Sequence, residues 1–189
     1  MQSKFDMQRK KALLQLDEAR ARGEADEKIG ELVDAINSSE SMYTTSSCSG
    51  RITVLETPAC HEKILAHWLG KWHDKVTAKD ILDALSKHKK NVAYLQSECP
   101  IIHIACKDVV TADSLVLAGR ESGFKRGGIL SVRPERVMVE LCSTENLEVP
   151  IGKDGKSLVS EDYTHLLTDI ANIKLVAGWE KIENLKARL

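Results

Sequence analysis

Two runs rich in β-branched and apolar residues, GGILSV (residues 127–132) and RVMVELCS (136–143), are separated only by Arg133, Pro134 and Glu135. A parallel strand pair needs a crossover of about a dozen residues or more, whereas a short turn joins antiparallel neighbours. The two runs therefore read as a β-hairpin. Three further strand-like runs lie upstream: RITVLE (51–56), NVAYLQS (91–97) and PIIHIAC (100–106). GKDGK (152–156) reads as another turn.

Helical periodicity falls between these runs. Residues 3–22 carry Ala12, Leu16 and Ala19 on one stripe, with Gly23 as the stop. Asp26 reads as an N-cap, followed by Ile29, Leu32, Val33 and Ile36 at the spacing of one helix face. Residues 61–72 read as a helix with Ile64, Leu65, Trp68 and Leu69 inward. Thr77 and Asp80 make a capping box ahead of Ile81, Leu82 and Leu85. Residues 111–120 form a short helix closed by Gly123. Ser160 caps a last helix, with Glu161 and Asp162 suited to its dipole and Leu166, Leu167, Ile170, Ile173 and Ile182 as its buried face. The expected class is α+β, a mixed or largely antiparallel sheet packed with helices. With no repeat and no obvious linker, residues 1–189 read as a single domain, a division near Cys99 and Pro100 being the alternative.

Bulk properties exclude some function classes. No apolar stretch is long enough to cross a bilayer, and the charged start MQSKFDMQRKK lacks the apolar run of a signal peptide, so a cytosolic protein is expected. Five cysteines without a C-x-x-C pair fit reduced thiols. A formal net charge of −1 disfavours a nonspecific DNA or membrane binder. Locally, residues 120–136 hold five basic side chains against two acidic ones. No Gly-rich nucleotide loop is present. GFKRGG follows a helix rather than opening one, so a Rossmann methyltransferase or dehydrogenase is not expected. No metal site is expected: on a helix, Cys60 and His67 would stand about 10 Å apart at 1.5 Å per residue, and His73 would face elsewhere.

Two features remain. In YTTSSCSGR (43–51), six of nine residues carry a hydroxyl, beside Cys48 and Arg51. A turn of small residues offers backbone N–H groups to an anion, and Arg51 offers a planar fork. The other reading is a polar edge strand with Cys48 as an inert thiol. A C-x5-R phosphatase loop is excluded, because Arg51 follows Cys48 by three. The second feature is His103, which alternation turns away from Ile102 and Ile104. It is either a structural histidine or a general base.

The stretch Thr44-Thr45-Ser46-Ser47-Cys48-Ser49-Gly50-Arg51 resembles the Ser-x-Ser-Ser-Cys-x-Gly-Arg pattern of the wybutosine-synthesising tRNA N4-methyltransferases. LGKWHDKV, PIIHIAC, ESGFKRGGI and STENLEVPI look like that family's later blocks, in order. The resemblance implies an α+β fold unlike the Rossmann methyltransferases. It also implies S-adenosyl-L-methionine-dependent methylation of N4 of a 4-demethylwyosine-type guanosine at position 37 of tRNA-Phe, in the anticodon loop. On this footing His103, Ser46, Ser47, Cys48 and Arg51 form the expected catalytic set. Thr44, Thr45, Ser46, Ser47 and Gly50 are expected to bind the cofactor. Arg51, Trp72, Lys125, Arg126, Arg133 and Arg136 are expected to hold tRNA, with Trp72 either stacked on a base or part of the core. Three positions depart from the family pattern: Thr44 stands in place of Ser, Gly127 in place of Ser, and Cys60-His61 in place of a Pro-Gly-like turn. Two other classes stay open, a non-catalytic RNA-binding module with a phosphate-binding polar loop and a hydrolase using Cys48 and His103.

Overall fold

A computed structural model describes residues 3–58 and 66–189. The fold is α+β, and every strand pairing among the described residues is antiparallel. The chain divides into two compact units. The first comprises Met1–Ser49, Pro100–Thr144 and Trp179–Leu189, and the second comprises Gly50–Cys99 and Glu145–Gly178.

In the first unit, strands β1 (Met42–Cys48), β5 (Ile101–Cys106), β6 (Arg126–Arg133) and β7 (Arg136–Cys142) form a four-stranded sheet in the order β1-β5-β7-β6. The hairpin of β6 and β7 closes on Pro134 and Glu135, with Arg133 opposite Arg136. Alternation gives this sheet two distinct faces. Ile102, Ile104 and Cys106 of β5 and Val137, Val139 and Leu141 of β7 point to one side. They pack there with Leu32, Val33 and Ile36 of helix α2 (Gly30–Ser38) and with Ala112, Leu115 and Val116 of α4 (Val109–Glu121). Ile29 is buried with them, in the short 3-10 turn that Asp26 caps ahead of α2. Helix α1 (Lys4–Ala21) begins with a Ser3–Asp6 capping box, and its Phe5 meets Tyr43 edge-to-face at 5.2 Å.

In the second unit, β2 (Arg51–Thr57), β3 (His67–Trp72), β4 (Val92–Glu98), β8 (Leu147–Lys153) and β9 (Lys156–Ser157) are ordered β3-β2-β4-β8-β9. Helix α3 (Ala78–Leu85) starts at the Thr77–Asp80 capping box. Helix α5 (Glu161–Lys186) contributes its residues up to Gly178 here and the remainder to the first unit. Asn172 of α5 exchanges two hydrogen bonds with Val76: it accepts from the backbone N–H at 3.0 Å and donates to the carbonyl at 2.8 Å.

Four sequence expectations need correction. Residues 67–72 are strand rather than helix; they pair along β2 from Trp72 opposite Ile52 to His67 opposite Glu56, and Trp68 is exposed. The expectation for residues 61–65 lies outside the described residues, as does the departure at Cys60-His61. Of the two readings of the polar run 43–48, the turn of small residues is the one corrected: the run is an edge strand, β1 standing at one end of its sheet. Residues 147–153 form β8, which the sequence reading left out. Its Pro150 cannot donate to a ladder and sits at the register shift beside Tyr94, where a strand tolerates proline. In α5 the buried face runs through Thr164, Leu167, Thr168, Ala171, Leu175, Ile182 and Leu185, whereas Leu166 and Ile173 are 53% and 67% exposed. Ala171 leaves room for close approach to the sheet, its carbonyl accepting from Ser97 at 3.5 Å.

Candidate active site

The face of the first sheet opposite its core holds the candidate site. Ser46 of β1 is the register partner of His103 of β5, His103 of Glu140 of β7, and Glu140 of Gly128 of β6. One row of residues thus crosses all four strands. Ser46 Oγ lies 2.9 Å from His103 Nδ1, and His103 Nε2 lies 3.0 Å from Glu140 Oε2. The His103 and Glu140 side chains are both partly exposed, 30% and 27%.

A β-bulge makes this row possible. Tyr43 faces Ala105 on the same side of the sheet, so strict alternation would put Ser46 on the core side. The register shift between Thr44 and Ser46 reverses the parity and leaves Thr45 and Ser46 both exposed. Thr45 Oγ1 then donates to the His103 carbonyl at 3.2 Å. Thr44 turns the other way: its N–H donates to Asn37 Oδ1 at 2.8 Å and its hydroxyl accepts from Asn37 Nδ2 at 3.0 Å. Ser47 pairs with Ile102, on the core side. Cys48 sits one row away, opposite Ile101.

At the β6 end, two glycines shape the row. Gly127 has φ +94°, and a Cβ there would stand 2.2 Å from the Glu140 carbonyl oxygen. Gly128 has φ +150°, and its Cβ would meet nothing within 4 Å. Open space therefore lies at the end of the row that carries Glu140. In this chain the close backbone approach leaves no room for a side chain at Gly127, the position where the resemblance led to the expectation of Ser.

The basic residues of the hairpin share this face by register. Arg126 is opposite Cys142, one row from Glu140, and Arg133 pairs with Arg136 farther along. Lys125, Arg126 and Arg133 are exposed. Arg136 Nη1 donates to Tyr43 Oη at 3.3 Å.

The second unit holds the other expected residues. Gly50, at φ +96°, precedes Arg51. Arg51 Nε donates to Glu98, and its guanidinium carbon lies 5.3 Å from the Trp68 ring centroid, a cation–π distance. The Trp72 indole covers Gly70, where a Cβ would fall 2.1 Å from a ring atom. Trp72 is thus packed within its strand, while Trp68 is 44% exposed.

Sequence reasoning missed Glu140, Gly128 and Trp68. Alternation in RVMVELCS does turn Glu140 away from Val139 and Leu141, but its pairing with His103 depends on register. Among the buried thiols, Cys106 is pushed up to about 12 by burial, and secondarily by Asp108, so it does not supply a thiolate.

Residues 7–189 match the family described as Methyltransferase TYW3. The chain belongs to the TYW3 methyltransferase family. A Thermococcus sibiricus relative, named tRNA(Phe) 7-((3-amino-3-carboxypropyl)-4-demethylwyosine(37)-N(4))-methyltransferase, is 38% identical over 96% of this chain and 92% of its own. A Methanocaldococcus jannaschii protein of the same name is 36% identical over 96% and 94%. The solved structure of the PH1069 protein from Pyrococcus horikoshii superposes with a TM-score of 0.94 at 38% identity, covering 97% of this chain and 95% of that one. A hypothetical protein from Aeropyrum pernix gives 0.77 at 26% identity, with 86% and 96% covered. In this TYW3-family chain both nitrogens of the His103 ring are engaged, one by a hydroxyl and one by a carboxylate. Such a row can accept a proton and stabilise the resulting imidazolium.

Proposed function

We propose that the chain methylates N4 of a 4-demethylwyosine-type guanosine at position 37 of tRNA-Phe, in the anticodon loop, with S-adenosyl-L-methionine as donor. The observation that carries this reading is the Ser46–His103–Glu140 row on the partly open sheet face of a TYW3-family chain. The relatives' names supply the substrate class, including the 3-amino-3-carboxypropyl substituent on the tricyclic base.

The residues present suit a zwitterionic sulfonium donor. Exposed hydroxyls and a carboxylate line the row, and the space beside Gly128 is open. Thr45, Ser46 and Glu140 would hold it; Thr44 is committed to Asn37 and Ser47 faces the core side. When bound, the donor supplies an electrophilic methyl carbon whose bond to sulfur breaks as the new nitrogen–carbon bond forms. The protein's share is orientation, charge placement and removal of the proton that N4 loses. His103 takes up that proton, and the adjacent carboxylate offsets the charge the ring acquires. Arg126, Arg133 and Arg136 hold the RNA backbone on the same face, with Lys125 exposed just ahead of β6. In the second unit, Arg51 stacked on Trp68 is a cation–aromatic pair suited to a phosphate or an unstacked base of RNA. No helix among the described residues is long and apolar enough to cross a membrane. A reducing cytosol would keep the cysteines as thiols.

The test is transfer of a labelled methyl group onto tRNA-Phe that carries the demethylated precursor. Transfer to that tRNA and not to unmodified tRNA-Phe is expected. Binding of the tRNA with no transfer and no calorimetric binding of S-adenosyl-L-methionine would make the chain an RNA-binding module instead.

A further inference from the structure

Neither nitrogen of His103 is open to a substrate. Nδ1 is capped by Ser46 Oγ at 2.9 Å and Nε2 by Glu140 Oε2 at 3.0 Å. Ser46, by contrast, is exposed. The tautomer follows from the partners. An ionised carboxylate only accepts, so the proton of the neutral ring sits on Nε2 and is donated to Glu140. Nδ1 is then the acceptor, and the Ser46 hydroxyl donates to it. The opposite tautomer would aim a ring lone pair at the carboxylate.

We infer that the proton leaves the substrate through Ser46 rather than directly to His103, and that Glu140 is the positioning residue that makes this route available. The inference rests on the function proposed above. The N–H bond of the substrate breaks as a new O–H bond forms at Ser46 Oγ. The hydroxyl's original proton moves to Nδ1, and the imidazolium is paired with Glu140. The ring proton passes to water after product leaves, and no oxidant or reductant enters. Ser46 is thereby a catalytic residue that touches the substrate, and its bulge is the device that delivers it. The charged and titratable groups around His103 are Glu140 in contact and, one row away by register on the same face, Cys48, Cys142 and Arg126 to one side and Tyr43 to the other. The strand that carries His103 contributes no other acid or base close to it.

The test joins a spectroscopic readout with kinetics. Nitrogen-15 NMR of imidazole-labelled protein, with the His103 signal identified by its loss in His103→Gln, reads the tautomer without any substrate. Nε2 protonated and Nδ1 unprotonated is expected in the wild type, and a mixture of tautomers in Glu140→Ala. Nδ1 protonated in the wild type at neutral pH would overturn the inference. In single turnover, Ser46→Ala should lower the rate by about 100-fold or more, the usual yield of a positioned acid–base group, with tRNA affinity unchanged. Ser46→Thr, which keeps the hydroxyl, should recover most of it. Glu140→Gln should move the rate–pH profile to lower pH, because the imidazolium loses its counter-charge; a merely structural Glu140 would leave the profile in place. A folded Ser46→Ala protein with the wild-type rate sinks the relay. Absence of any transfer by the wild type removes the proposed function while leaving the tautomer result to stand on its own.

Discussion

Gly127→Ala is the substitution whose cost can be worked most directly from this structure. Its φ of +94° lies outside the conformations an alanine adopts at ease. Holding a non-glycine residue in such a region costs about 1–3 kcal/mol. The added Cβ would also stand 2.2 Å from the Glu140 carbonyl oxygen and 2.9 Å from its carbon. Relieving an overlap of that depth costs about 1–3 kcal/mol more. The sum is about 2–6 kcal/mol. Gly128→Ala is the internal control: it shares the positive φ, at +150°, but its Cβ meets nothing within 4 Å, so only the backbone cost, about 1–3 kcal/mol, applies. Urea unfolding with linear extrapolation measures both variants, and hydrogen exchange of peptides from β6 and β7 shows where the loss is felt. Gly127→Ala should be the less stable by about 1–3 kcal/mol, since the overlap is all that separates them. Because the clash falls on Glu140, it should also disturb the His103 tautomer signal. Equal stabilities for the two variants, or a more stable Gly127→Ala, would refute the close-approach reasoning.

Three other outcomes are expected. Trp68→Ala should weaken tRNA binding by about 1–3 kcal/mol, the worth of one aromatic–base stack, with little change in stability, whereas Trp72→Ala should chiefly lower stability because its ring covers Gly70; filter binding and thermal melts of both variants decide it. The logarithm of tRNA affinity should fall linearly with the logarithm of salt, and Arg126→Ala and Arg133→Ala should each reduce the slope by about 0.7–0.9, as titrations at several salt concentrations would show. The Asp80 carboxyl is held below its usual range by hydrogen bonds from the Thr77 side chain and backbone, and Asp108 by the Thr111 backbone N–H. A depressed folded-state pKa means the contribution is full above the unfolded value of about 3.9 and is lost as pH falls through the folded value, so stability should decline below about pH 4 and decline less in Asp80→Asn and Asp108→Asn.

Much of the fold was legible because local chemistry and tertiary structure agree. Ile29, Leu32, Val33 and Ile36 recur on one helix face and are all buried. Thr77 and Asp80 cap a helix just as their spacing requires. Pro134 and Glu135 close the hairpin that excludes a purely parallel sheet. The failures share a cause as well. Residues 67–72 hold Trp68, Leu69 and Trp72 at helical spacing, but the two tryptophans are also good strand formers, and pairing with β2 decided between them. In α5, Leu166 and Ile173 are as apolar as Leu167 and Leu175, so composition alone could not choose the face; Ala171, small enough for close approach to the sheet, did.

The site was legible in its residue types and not in its geometry. YTTSSCSGR announced itself through density of hydroxyls, yet its value lies in one of them, and the choice among Thr44, Thr45, Ser46 and Ser47 is made by the bulge. Thr44 and Ser47 on either side face the core, and between them the chain spends two residues on the exposed side where alternation allows one. A period-2 reading that starts from buried Tyr43 assigns Ser46 to the wrong face, so the better the alternation rule is applied, the more surely it misplaces the residue. Glu140 is hidden for a different reason. Its partner His103 is 37 positions away, joined only through the register of β5 on β7. Ser46, His103 and Glu140 come from three different strands, so no local window of sequence contains two of them. Motif density therefore locates the strand that carries such a candidate site, while the irregularity in that strand, together with the register of its neighbours, selects which hydroxyl meets the histidine.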